Sequence, residues 1–263
     1  MKRLAIIAVV VATAASVGTA RAGTLLITVS EGATLYDIVD EGPLDLWAFP
    51  NPDAINKIVA QTAALVFLDY KIVELTASTN NPGAPDPNGA VLRVSGEVQR
   101  FLTGGAAPPL IITVTDTDYS VPAGALDLFS SASDAFTNAP SGDSHTFTSW
   151  FNPTNTSVAK DLTSGALTFT SSGLPLNSNN GDTDGITVGP AALYGLTNET
   201  VITLSGASAD IVFGGSTQVL PSEVPEPASY ILLGIGGLGL LGNYWRRSRQ
   251  PEAGGRPGLL PQG

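Results

Sequence analysis

The sequence contains no cysteine and a single histidine, His145. Without thiols there is no disulfide staple, no thiol nucleophile and no cysteine-ligated metal. A fold of this composition must rest on burial and backbone pairing alone. One imidazole argues against a classical zinc hydrolase, whose metal usually takes two or three. Positive charge is scarce as well, with 12 Lys+Arg against 23 Asp+Glu and a formal net charge of −11. Between residues 23 and 223 the only cations are Lys57, Lys71, Arg93, Arg100 and Lys160, against 21 acidic residues. Such a surface repels nucleic acid, so no nucleic-acid partner is expected. Long apolar runs are confined to the two ends.

At the N-terminus, Lys2 and Arg3 precede an unbroken apolar stretch over residues 4–11, and Ala20-Arg21-Ala22 stands before Gly23. A basic start, an apolar core and a small-x-small site make a signal peptide over residues 1–22, cleaved between Ala22 and Gly23. The expected partners are the Sec translocon and signal peptidase. At the other end, residues 228–245 carry Ser229 and Asn243 as their clearly polar members. As a helix this stretch spans about 27 Å, enough for a bilayer core. Tyr244 and Trp245 suit the interface, and Arg246, Arg247 and Arg249 hold the basic tail, residues 246–263, on the cytoplasmic side. The domain between the two targeting segments then lies outside.

That domain, residues 23–220, is rich in Thr, Ser, Gly, Val and Asn, with short apolar runs between turn residues. Runs at residues 25–29, 71–75, 91–98, 110–114, 166–170, 186–188, 201–204 and 209–213 read as strands. The expected fold is all-β, an antiparallel β-sandwich of jelly-roll-like kind, flanked by the signal peptide and the transmembrane helix. Residues 25–31 align with residues 110–116, which reads either as a duplicated half-sandwich or as two similar buried strands. A single domain is expected. One segment departs from the pattern: Asn51-Pro52-Asp53 predicts a capped helix over residues 54–64, although the same residues also fit a strand leading into 65–68. Residues 78–89, with three prolines, read as a long hairpin tip at the surface. Residues 221–227 form a stiff proline-rich linker.

Val224-Pro225-Glu226-Pro227, the apolar helix and Arg246-Arg247-Ser248-Arg249 together resemble the PEP-CTERM sorting signal of Gram-negative and related environmental bacteria. The resemblance implies that an exosortase recognises Pro225, Glu226 and Pro227, while the helix and Arg246, Arg247 and Arg249 retain the precursor in the inner membrane. It further implies cleavage near the motif and transfer to the cell surface or extracellular matrix. Residues 112–120, 145–155 and 196–213 are similar to uncharacterised all-β ectodomains that precede this signal, a likeness that implies no activity.

Chemistry inside the domain is sparse. The run Asn179-Asn180-Gly181-Asp182-Thr183-Asp184-Gly185 alternates oxygen-bearing residues, and calcium wants several oxygens from a tight loop. Asn180, Asp182 and Asp184 are therefore the candidate ligands, with a solvated Asx-Gly turn as the plainer reading. No other cofactor is expected. His145 follows Asp143-Ser144, but no Gly-x-Ser-x-Gly turn accompanies it, so a catalytic role is not expected. Trp47, Phe49, Trp150 and Phe151 are either sugar-stacking platforms or core residues. The functional expectation is a non-enzymatic structural or adhesive surface protein. A secreted carbohydrate-binding module contacting surface polysaccharide is the alternative, and a glycan hydrolase ranks below it.

Overall fold

The computed structural model describes residues 24–40, 42–46, 56–84, 89–101, 107–157 and 159–222. The chain divides into two units, Met1–Ser222 and Glu223–Gly263, of which the second lies outside the described residues. The cleavage residues Ala22 and Gly23, the Pro225–Glu226–Pro227 motif, the span 228–245 and the arginine cluster also lie outside them. Among the described residues no helix is long and apolar enough to cross a membrane.

The described part is an antiparallel sandwich of two sheets. One sheet has six strands in the order β2 (Thr34–Val39), β1 (Leu26–Glu31), β6 (Leu110–Tyr119), β12 (Tyr194–Thr203), β8 (Ser144–Asn152) and β9 (Leu162–Thr170). The other has seven. Its order is β10 (Leu176–Asp182), β7 (Leu126–Thr137), β13 (Asp210–Pro221), β5 (Ala90–Arg100), β4 (Tyr70–Thr79) and β3 (Lys57–Val59), with β11 (Ile186–Val188) also paired to β7. Each run expected as a strand falls on one of these elements.

Period-two alternation decides which face is buried. Ile27 and Val29 of β1, Ile112 and Val114 of β6, and Phe147 and Phe151 of β8 point inward. They meet Leu92, Val94 and Val98 of β5 and Ile211, Phe213 and Val219 of β13. Gly215 of β13 sits beneath the Phe147 ring, and a Cβ there would overlap that ring. The interior is also unusually polar. Thr217 Oγ1 lies 2.5 Å from Ser149 Oγ and bonds the Asn198 side-chain oxygen, while Asn198 Nδ2 donates to Leu92 O at 3.1 Å. These bonds tie the sheets together where disulfides are absent, because a buried polar atom left unpaired costs about 1–3 kcal/mol.

The helix expected over residues 54–64 is corrected where it can be seen. Residues 57–59 are strand β3, paired with β4, and only Thr62–Ala64 forms a 3₁₀ turn. Ladder bonds to β4 and burial of Ile58 outweigh the local helical stripe. The β4–β5 hairpin is present, but the start of its connection is not surface. Asn81 is buried and donates to the Asp116 carboxylate at 3.1 Å. The similar runs 25–31 and 110–116 are adjacent antiparallel strands, with Thr28 directly opposite Thr113.

Candidate functional site

Among the described residues, two places bear on the candidate chemistry: the buried pair around His145 and the outer face of the seven-stranded sheet.

His145 is fully buried on the inner face of β8. Its Nδ1 lies 3.0 Å from Asp134 Oδ2 of the opposite sheet, and Asn179 Nδ2 donates to the other Asp134 oxygen at 2.8 Å. Phe169 and Phe213 flank the imidazole, each with its ring centroid 5.8 Å away. Nε2 has no partner. A triad base must present that nitrogen to a nucleophile and a substrate. Here it faces the sealed interior. Asp143, two residues earlier, accepts from the Ser205 backbone N–H at 2.9 Å and hydroxyl at 2.5 Å, which is a loop-fastening role.

The outer face of the seven-stranded sheet is built differently. Its register aligns Ser78, Arg93, Ser216, Ser131 and Asp182 in one row across β4, β5, β13, β7 and β10. The adjacent row is Thr76, Ser95, Gly214, Ser133 and Asn180. All of these but Thr76 line a groove of about 470 Å³, which continues past Gln218 and Asn80. The Arg93 side chain has no ion-pair or hydrogen-bond partner among the described residues. Farther along the same face the charge reverses, with Glu74 opposite Glu97 and Asp210 nearby. Burial, then the charge of Glu97, holds the Asp210 carboxyl above its ordinary value.

The candidate calcium residues fall on this face. Asn180 and Asp182 are exposed positions of the edge strand β10, two residues apart, and Asp184 lies beyond its end. The first part of the expected loop, residues 179–182, is instead extended chain paired to β7, because Ser131 and Ser133 supply ladder partners that a sequence scan does not see, and residues 183–185 follow the strand. Among the described residues no group of three or more His, Asp or Glu is placed to hold a metal ion. Of the aromatic candidates, Phe151 is core, with its ring 4.9 Å from that of Tyr194. Trp150 is on the outer face of the six-stranded sheet, but Lys160 Nζ sits 4.6 Å over its ring and is itself paired to Glu199. Trp47 and Phe49 lie outside the described residues. Arg93 escaped the sequence reading. Its available signal was the polar alternation Arg93–Ser95 and Gly214–Ser216–Gln218 between buried residues of β5 and β13.

Residues 223–249 match the PEP-CTERM protein-sorting motif. The motif implies export, a membrane-anchored precursor and exosortase processing. No curated protein matches the chain. Among solved structures, similarity extends to the enzymatically active domain of tailspike protein 4 from bacteriophage CBA120 (11% identity, TM-score 0.25, 63% of this chain and 20% of that one). An arabinose-bound MgGH51 α-L-arabinofuranosidase is similar at 11% identity and TM-score 0.27, over 66% of this chain and 24% of that one. The C-terminal CBM6 of LamC from the marine Zobellia galactanivorans is similar at 12% identity and TM-score 0.24, over 62% of this chain and 100% of that one. The chain thus spans about a fifth to a quarter of the length of the first two, and scores this low carry no functional argument.

Proposed function

We propose that this chain is the precursor of an exported structural or adhesive component of the cell surface or extracellular matrix. The single observation that carries the reading is the sorting motif at residues 223–249, placed directly after a cysteine-free β-sandwich. The signal peptide over residues 1–22 delivers the chain to the Sec translocon. The 228–245 helix with Arg246, Arg247 and Arg249 then holds the precursor in the inner membrane with the sandwich outside. An exosortase acting at Pro225–Glu226–Pro227 releases it to the surface. No enzymatic role is proposed, and the burial of the sole histidine supports this. A second reading, a carbohydrate-binding sandwich, is favoured by one observation: the open polar groove around Arg93.

Mass spectrometry of the protein from intact cells and from medium tests the main reading. The expected termini are Gly23 and a C-terminus within residues 225–228. Recovery of peptides beyond Arg249 on mature surface protein would make the tail a permanent anchor and overturn the processing step.

A further inference from the structure

Two adjacent glycines in the middle of β13 separate packing from another demand. Gly215 points inward, where the Phe147 ring leaves no room for a side chain. Gly214 points outward into the groove, and a Cβ there would meet only Ser133 Oγ at 3.7 Å and Val94 O at 4.0 Å, ordinary contacts. Packing therefore does not require glycine at 214. A glycine inside a strand weakens it by about 0.5–1 kcal/mol relative to alanine, and such a position often marks close approach by a ligand. Beside this open floor stands Arg93, a cation without a partner among the described residues in a chain of net charge −11. Hydroxyls of Ser78, Ser216 and Ser131 flank it along the row, and Asp182 closes the far end.

We propose that this groove binds an extended polysaccharide chain bearing uronic-acid carboxylates, with Arg93 reading the carboxylate and the serine row and Asp182 reading sugar hydroxyls. A guanidinium fork matches a carboxylate bidentately, whereas a neutral sugar is ordinarily held by stacking on an aromatic plate. The residues lining the groove at Gly214 include no aromatic, and Phe129, opposite Gln218 on the same face, has Gly185 packed against its ring. Glu74, Glu97 and Asp210 on the same face repel anions and confine the carboxylate to the Arg93 end. The inference deepens the surface and matrix reading by naming a ligand class, yet the two fail separately. Correct export with no binding sinks only the ligand.

The test titrates the full chain, purified in detergent and with a chelator present, against a galacturonate oligomer, its methyl ester and a neutral glucan oligomer. The expected result is binding of the free acid, with about tenfold loss or more for the methyl ester and for the neutral oligomer, the size of a lost charge-assisted hydrogen bond. Arg93→Ala should lose binding by a similar factor, Arg93→Lys should retain part of it, and Gly214→Val should abolish it by filling the floor. Lys71→Ala, on the same face but in the row of Asp210 and away from Arg93, should bind as the parent does. Absence of galacturonate binding, equal affinity for acid and ester, or an unchanged Arg93→Ala variant each overturns the proposal.

Discussion

Glu31 and Asp116 clamp the two ends of the same strand. Glu31 accepts the backbone N–H groups of Leu68 at 2.6 Å and Asp69 at 2.8 Å, just before β4 begins. Asp116 accepts from Asn81 at 3.1 Å, just after β4 ends. Both carboxylates are buried. They occupy matching positions in the similar runs 25–31 and 110–116, whose Thr28–Thr113 pairing places them at opposite ends of the β1–β6 ladder. The repeated acidic position is thus a repeated anchoring device.

Glu31→Ala should therefore destabilise the sandwich well beyond a surface change. The buried Asp69 donor and the half-buried Leu68 donor lose their acceptor, at about 1–3 kcal/mol for the buried one. For a domain of this size the midpoint should fall by about 5–10 °C. Thermal denaturation by circular dichroism checks it, and a shift under 2 °C would remove the clamp from the account.

Stability should also fall as pH rises out of the acid range. Burial holds the Asp116 carboxyl above its ordinary value, against the hydrogen bonds from Thr79, Asn81, Thr117 and Tyr119. Asp210 is raised in the same direction. The folded state then keeps protons that the unfolded chain releases, so the cost grows from the ordinary carboxylate value up to the raised one and is fully present above it. Asp210→Asn should raise the melting midpoint at neutral pH by about 1 °C and leave it unchanged near pH 3, where the carboxyl is protonated anyway. Equal shifts at both values would contradict the assignment.

The neighbouring glycines should respond in opposite directions. Gly215→Ala drives a methyl into the Phe147 ring and should cost about 1–3 kcal/mol. Gly214→Ala meets only ordinary contacts and should stabilise by about 0.4–1 kcal/mol through a less flexible unfolded chain. Chemical denaturation of the two variants in parallel decides between them.

His145 should behave as a packed structural residue. In the folded chain it should resist diethylpyrocarbonate and react only on unfolding, as read by a mass shift on its peptide. His145→Ala, which leaves buried Asp134 with Asn179 alone, should cost about 3–5 kcal/mol. Rapid modification of the native chain would place the imidazole in reach of solvent.

Two strands show why part of the fold escaped the sequence. Strand β7 carries the run Ser130-Ser131-Ala132-Ser133-Asp134-Ala135, weak in intrinsic strand preference, and β10 carries Asn179-Asn180-Gly181. Their pairing with each other and of β7 with β13 supplies backbone bonds that their side chains do not advertise. Local preference is a weak term beside a complete ladder. The same blindness hid Arg93, since an isolated arginine on an alternating run looks like any solvated position until four strands align their serines around it.

Composition and periodicity alone determined the all-β class and the absence of thiol chemistry, because each is a property of local order along the chain. The sorting motif is of this kind: it is read as linear sequence and needs no fold around it. Only the tertiary structure decided that His145 is sealed between the sheets, that Asn180 and Asp182 lie along a strand, and that Arg93 stands in an open groove. Those outcomes depend on strand register and sheet order, which join residues more than a hundred positions apart, and such pairings leave no mark on any single segment.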